Sequence, residues 1–473
     1  MTPPTPPPPS SGEPIFQPSL PDAVLLPAKL VEPQSPLRAI VSWLVIAGCV
    51  ALMIGVTIVR KGMPKEFKGP TAQHLISARY AVGTMSITRA MTGNPSADTG
   101  RQLARQARDG AKTDVDKLYA AIITAAVDSK DDARPLLDGL SKSADEATAR
   151  DATDVLAILN DGSASLNADA RVRLTDRHGW IGRLALTLDL PPGDPDRRAV
   201  LADGEQTSIV LFGFIAVLAV VALLGLALFI TGIVMFAIGS MRTTPTSAVG
   251  RDVALLEAFA LYLALISSSI LWNAFGLPGG RVIGTVLAFG SFAVGLAWPF
   301  IRRAASLNPG DVRQAMGLHS GRGFFVEAFF GVAGYIALFP LMVVGITITA
   351  YLSRVTGTDA SHPITELIVG PLWQFVLVAV LAAVFAPITE ELMFRGALFG
   401  HLRTRLPWFV AAMVVALIFA SIHPQGWAGI PALSMIGLNL ALLRQWRGSI
   451  VASVTAHALN NGTLVLLTGL MLR

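Results

Sequence analysis

The chain contains a single cysteine, Cys49, among 473 residues. It can form no intrachain disulfide and no Cys-based zinc site, so any metal would have to be held by His and carboxylates. Charge is also scarce: 15% of residues are Asp, Glu, Lys or Arg, against roughly 25% in an average soluble domain. With 52% hydrophobic residues, that scarcity excludes an ordinary soluble enzyme. The net charge of +5 is small and is carried by Arg in the connections between apolar runs. This is the pattern of cytoplasmic membrane loops and excludes a nucleic-acid partner. Several hydrolase signatures are missing too: there is no H-E-x-x-H zinc helix, no G-x-S-G in an apolar run and no pair of intramembrane aspartates.

What the sequence does have is apolar runs of about twenty residues, the length that spans a bilayer. The first, Ala39 to Val59 between Arg38 and Arg60, is too long and too far from the start for a signal peptide and lacks a cleavage site, so it is expected to be a signal anchor (38–60). Before it, residues 1–37 are Pro-rich and cannot build a core, which predicts a disordered tail. Residues 61–206 turn polar and Ala-rich with apolar residues at helical spacing, as in Val115, Leu118, Tyr119, Ile122 and Ile123. This predicts a soluble helical insert, its short helices capped by Asp128, Asp131, Asp132, Asp151 and Asp161 and punctuated by Pro135. A docking or spacer role is expected for it.

Eight more apolar segments follow, near 208–240, 253–275, 282–301, 325–352, 372–390, 408–423, 427–443 and 449–471. The fold class is therefore all-α: a polytopic membrane helical bundle of about nine spans with a soluble helical insert, the bundle proper covering 207–473. As one helix, 208–240 would be about 50 Å long at 1.5 Å per residue, more than the ~30 Å hydrocarbon core, so it must tilt, protrude or break. Nine spans place twelve short-loop Lys and Arg on one side, among them Arg242, Arg313, Arg403 and Arg444, and only Arg281, Arg354 and Arg473 on the other. By the positive-inside rule the N-terminus is cytoplasmic and the insert outside. An Ala-, Gly- and Arg-rich composition points to a bacterial inner membrane.

Ionisable side chains inside a bilayer are costly and are functional candidates by default. Glu390 and Glu391 follow Pro387, which should kink the helix. Glu391 and Arg395 stand at i and i+4, acid before base, a plausible structural lock. Glu390 points about 100° away and has no local counter-ion. Phe419-x-x-x-His423 ends one span, and His457 and Asn461 share a face of the last. Counting 1.5 Å per residue, Glu390, His423, His457 and Asn461 can meet near mid-membrane. Neither His457 nor Asn461 has an obvious carboxylate partner in the sequence. Glu257 and Glu327 lie near span ends and are expected at the interface.

Together, E-E-x-x-x-R (Glu390, Glu391, Arg395), F-x-x-x-H (Phe419, His423) and H-x-x-x-N (His457, Asn461) resemble the ordered motifs of the CPBP intramembrane proteases, the family that includes type II CAAX prenyl endopeptidases and bacteriocin-processing or self-immunity proteins. The resemblance covers about 370–465, with a protease core expected over about 322–473. It implies hydrolysis of a peptide bond of a membrane-borne peptide or protein substrate within the lipid bilayer. Glu390 would act as base on a water held by His423, with His457 and Asn461 donating to the oxyanion. Alternatively, Glu390, His423 and His457 could ligate zinc with one open position. Two other readings stay open: a multi-span transporter, since intramembrane Glu and His also mark ion paths, and a non-hydrolytic scaffold or immunity protein.

Overall fold

The computed structural model describes residues 35–62, 67, 69–93, 97–241, 243–246, 252–278, 280–303, 309–358, 365–368 and 370–473. The Pro-rich stretch up to residue 34 lies outside them. Every regular element among the described residues is helical. Seven helices there are long and apolar enough to cross a membrane, and two shorter apolar ones accompany them. The protein is an integral membrane protein.

The first span is α1 (Pro36–Gly62). Six helices build the insert: α2 (Ala72–Thr92), α3 (Ala97–Asp109), α4 (Asp114–Val127), α5 (Lys130–Leu140), α6 (Glu146–Asp161) and α7 (Ala168–Leu186). Their apolar stripes close on one core that includes Leu75, Leu118, Ile122, Leu137, Val155, Ile158 and Ile181. The caps differ from expectation. Thr113, Ser129, Asp145 and Asn167 accept the first amide hydrogens of α4, α5, α6 and α7. Asp151 is instead fully buried within α6, paired with His178 and Arg177, and Pro135 sits inside α5. A side chain that can be paired across the core is worth more there than at an exposed terminus, and spacing alone does not show the partner.

The long apolar segment resolves by protruding. Helix α8 (Pro195–Ala237) is one unbroken helix of 43 residues, capped by Asp194 inside the insert and continuing into the bundle. The expected boundary at 206/207 falls within it. The bundle continues with α9 (Val253–Ala274), α10 (Gly280–Arg303), the short α11 (Pro309–Met316), α12 (Phe324–Ala337) and α13 (Phe339–Thr356). The segment expected as one span over 325–352 is therefore two helices. They break at Leu338, two residues before Pro340, which has no amide hydrogen to supply. The second half runs along a later helix: Asn439 Nδ2 donates to the Leu338 carbonyl, and the Ala432 amide donates to Thr349 Oγ1.

Four helices carry the motifs or flank them: α14 (Leu372–Leu402), α15 (Trp408–Ser421), α16 (Ile430–Arg447) and α17 (Val451–Leu472). Hydrogen bonds gather residues 244, 245 and 252, 315–319, 401–403 and 444–449 at one end of the bundle. At the other end Arg79 and Thr207 donate to the Met471 carbonyl and Lys112 to that of Gly357, so the insert is seated there.

Candidate functional site

The site is built on α14, which is not a regular helix. Two π-helical turns, Leu381–Phe385 and Leu392–Leu398, flank the α-helical turn Ala386–Glu391 that carries both carboxylates. Such turns are local expansions of the helix and recur at functional sites. Pro387 lies between the first of them and Glu390.

The i, i+4 pair forms as its spacing predicts. Arg395 Nη1 donates to Glu391 Oε1 at 2.8 Å with both side chains fully buried. Arg395 Nη2 donates to the Gly437 carbonyl of α16 at 2.8 Å, and its guanidinium stacks on Phe419 at 4.8 Å. Position 437 must be glycine-small: a Cβ there would lie 3.0 Å from Ala416 Cα. The lock thus ties α14 to α15 and α16.

Glu391 has a second partner that the sequence did not reveal. His457 Nδ1 stands 3.1 Å from the same Oε1, so the imidazole that seemed to lack a carboxylate is oriented by one across 66 residues. Its other nitrogen, Nε2, faces Glu390 Oε2 at 3.8 Å. His423 Nε2 faces the same oxygen at 4.0 Å, while His423 Nδ1 is 2.5 Å from the Phe419 carbonyl, which can only accept. Glu390 Oε2 is buried and has no hydrogen-bond partner of its own. Three helices thus bring Glu390, His423 and His457 together around one unsatisfied carboxylate oxygen.

Residues 372–463 match the type II CAAX prenyl endopeptidase Rce1-like family. The Rce1-like segment holds all three motifs. A curated relative, the membrane-embedded CAAX protease MroQ of Staphylococcus aureus (strain USA300), is 24% identical over 132 residues, which cover 27% of this chain and 53% of the relative. The chain therefore spans about half the length of that relative. No solved structure matches.

Beside Glu390 lies a cavity of about 250 Å³ whose walls come partly from outside the Rce1-like segment: Tyr262 and Ile266 of α9, Phe289 and Phe292 of α10, and Phe385 of α14. The ionisable residues of α9 and α10 lie near the helix ends, so nothing in the sequence marked these helices as walls of the site. Phe289 and Phe385 meet edge to face at 4.9 Å in its wall.

Asn461 sits about one turn from His457, with no hydrogen bond to Glu390 among those of the described residues. Its Nδ2 donates to the Ala382 carbonyl at 3.0 Å. Glu257 and Glu327 close elsewhere. Glu257 accepts from Trp298 Nε1 and lies near Arg302, and Glu327 takes a two-pronged bond from Arg447.

As a zinc site the donors are chemically suitable but too widely spaced. Ligands about 2.1 Å from a tetrahedral ion stand roughly 3.4 Å from one another, whereas the two edges here are 3.8 and 4.0 Å. Among the described residues no group of three His, Cys, Asp or Glu has the spacing to hold a metal.

Proposed function

We propose that the chain is an intramembrane endopeptidase that hydrolyses a peptide bond through a water activated by Glu390. The observation that carries this reading is the convergence of two imidazole Nε2 atoms on the orphaned Oε2 of Glu390. A carboxylate oxygen and an imidazole nitrogen about 4 Å apart can both be reached by one water at about 2.8 Å from each.

The tautomers follow from the outer contacts. The Phe419 carbonyl takes the Nδ1 hydrogen of His423, which leaves a lone pair on Nε2. A water held there gives one hydrogen to His423 Nε2 and the other to Glu390, and presents its own lone pairs to the scissile carbonyl. Glu390 takes the proton as the hydroxide oxygen bonds to the carbonyl carbon. His457, its Nδ1–H held by Glu391, donates from Nε2 to the oxyanion that forms. A donor fixed in a low-dielectric site acts strongly on charge that develops there. Glu390 then returns the proton to the amide nitrogen as the C–N bond breaks, releasing a carboxylic acid and an amine. Asn461, turned to Ala382, takes no part in this step, and no step runs through a metal.

The cavity's aromatic walls suit an apolar side chain or lipid group on a membrane-borne peptide. The basic short loops favour a cytoplasmic N-terminus in a bacterial inner membrane with the insert outside. In a Cys49→Ser background a cysteine replacing Ala144 should react with a membrane-impermeant thiol reagent from outside and one replacing Arg405 should not. The opposite pattern inverts the orientation.

The chemistry is tested by comparing membrane peptides that accumulate with wild type and with Glu390→Gln. The near-isosteric change removes the base alone, so cleavage should fall by about 10²–10⁴ with insertion intact. Full cleavage by the purified variant refutes the assignment.

A further inference from the structure

We infer that Asn461 is a positioning residue: its amide replaces the backbone donor that Pro387 lacks and so fixes the π-helical turn that aims Glu390. The inference rests on Glu390 being the reactive carboxylate.

The register of α14 identifies the vacancy. In the turn Leu381–Phe385 amide hydrogens reach back five residues, and the Ala386 N–H bonds to the Leu381 carbonyl. The next donor in that register is residue 387, whose acceptor would be the Ala382 carbonyl. Pro387 has no N–H. In a bilayer an unpaired carbonyl finds no water to replace the missing bond. The atom that takes the place is Asn461 Nδ2, 3.0 Å from the Ala382 oxygen. The substitute thus stands at the very carbonyl that the proline orphans.

The orientation of the Asn461 amide is set by a chain of donors running in one direction. Tyr335 Oη of α12 donates to Asn460 Oδ1, Asn460 Nδ2 donates to Asn461 Oδ1, and Asn461 Nδ2 is left to donate to Ala382. An amide flipped the other way would set carbonyl against carbonyl. The helices close up beside it, since a Cβ at Gly462 would touch Ala383 Cβ at 3.4 Å. Glu390 follows Pro387 by three residues, less than one helical turn, so the rotation of this turn decides whether its carboxylate meets His423 and His457.

Substituting both residues separates this role from direct donation to the oxyanion. Pro387→Ala restores a backbone N–H to the orphaned carbonyl. Amide hydrogen–deuterium exchange over 381–391 and peptide cleavage are read in wild type, Asn461→Ala, Pro387→Ala and the double variant. In the native background Asn461→Ala should speed exchange there by about tenfold, the scale of one lost hydrogen bond, and lower kcat by at least as much with KM within about twofold. In the Pro387→Ala background both effects should shrink to about threefold or less. Equal effects in the two backgrounds overturn the inference. Should the double variant fail to accumulate, Asn461→Asp decides, because the ionised carboxylate keeps the shape and loses the donor. Faster exchange confined to 381–391 supports the role, and unchanged exchange overturns it. Exchange does not depend on turnover, so rescue of exchange in a protein without proteolysis would refute the proposed function and leave standing only the substitution of Asn461 for the donor that Pro387 lacks.

Discussion

The protein contains two buried networks of the same kind, one in the insert and one in the bundle, and the second borders a cavity. In the insert His178 and Asp151 are fully buried. His178 Nδ1 meets Tyr119 Oη at 3.0 Å and Nε2 meets Asp151 Oδ2 at 2.9 Å, while Arg177 and Arg173 balance the carboxylate. Burial pushes the Tyr119 phenol up from its ordinary pKa. It therefore remains a donor, and the ring must present Nε2–H to Asp151. Both nitrogens are satisfied. In the bundle His457 is likewise set between carboxylates, with Arg395 balancing Glu391. There the second nitrogen faces Glu390 across 3.8 Å, too far for a hydrogen bond, and a cavity adjoins. Composition does not separate the two. Asp151 Oδ1 and Glu390 Oε2 both lack a hydrogen-bond partner, and what separates the networks is the cavity that borders Glu390 and the two imidazole nitrogens that face its oxygen.

The sharpest way to break the comparison is to remove the central carboxylate of each network. Asp151→Ala leaves two arginines and an imidazole without their counter-ion, and Glu391→Ala does the same to Arg395. Each should cost about 3–5 kcal/mol of stability, seen as a loss of folded yield. Cleavage per folded molecule should stay at the wild-type level in Asp151→Ala and fall by at least about tenfold in Glu391→Ala, where His457 loses its orienting acceptor. Equal specific activities would mean that the insert network is no more closed than the site.

A third His–carboxylate pair gives a smaller effect. His74 Nε2 lies 3.0 Å from Asp116 Oδ1 at the partly exposed edge of the insert. Burial works to raise the Asp116 pKa, but His74 and the amides of Thr113 and Lys112 outweigh it and hold the carboxyl well below its ordinary value. A depressed carboxylate pKa contributes stability above the unfolded value, near 4, and loses it as pH falls below that. Asp116→Asn should cost about 1 kcal/mol at neutral pH, the scale of one cap, and the gap to wild type should close as the solution becomes strongly acid. A gap independent of pH would assign the effect to shape alone.

The all-helical class and the meeting of Glu390, His423 and His457 were legible because hydrophobic runs and rare polar residues within them are local signals. The Glu391–Arg395 pair was legible for the same reason, since i and i+4 share a face. Contacts between distant segments were not. Nothing local ties His457 to Glu391, Phe289 to the cavity or Asp151 to His178. The π-helical turns were hidden too, although Pro387 marked where the helix had to change. The vacancy that a proline leaves is local, and the side chain that answers it comes from 74 residues away.

Helix α8 has one more consequence. Its 43 residues amount to about 65 Å, and Val200 belongs to the core of the insert while Gly225 lies against the Ile336 carbonyl of the bundle. Gly204 is seated just as closely on Gly83 of α2, where a Cβ would meet backbone within 3.0 Å. A rod without a joint, anchored at both ends, leaves no hinge at which the two regions could melt apart. Heating should therefore show a single cooperative transition, in which loss of the extramembrane core and loss of the bundle register together.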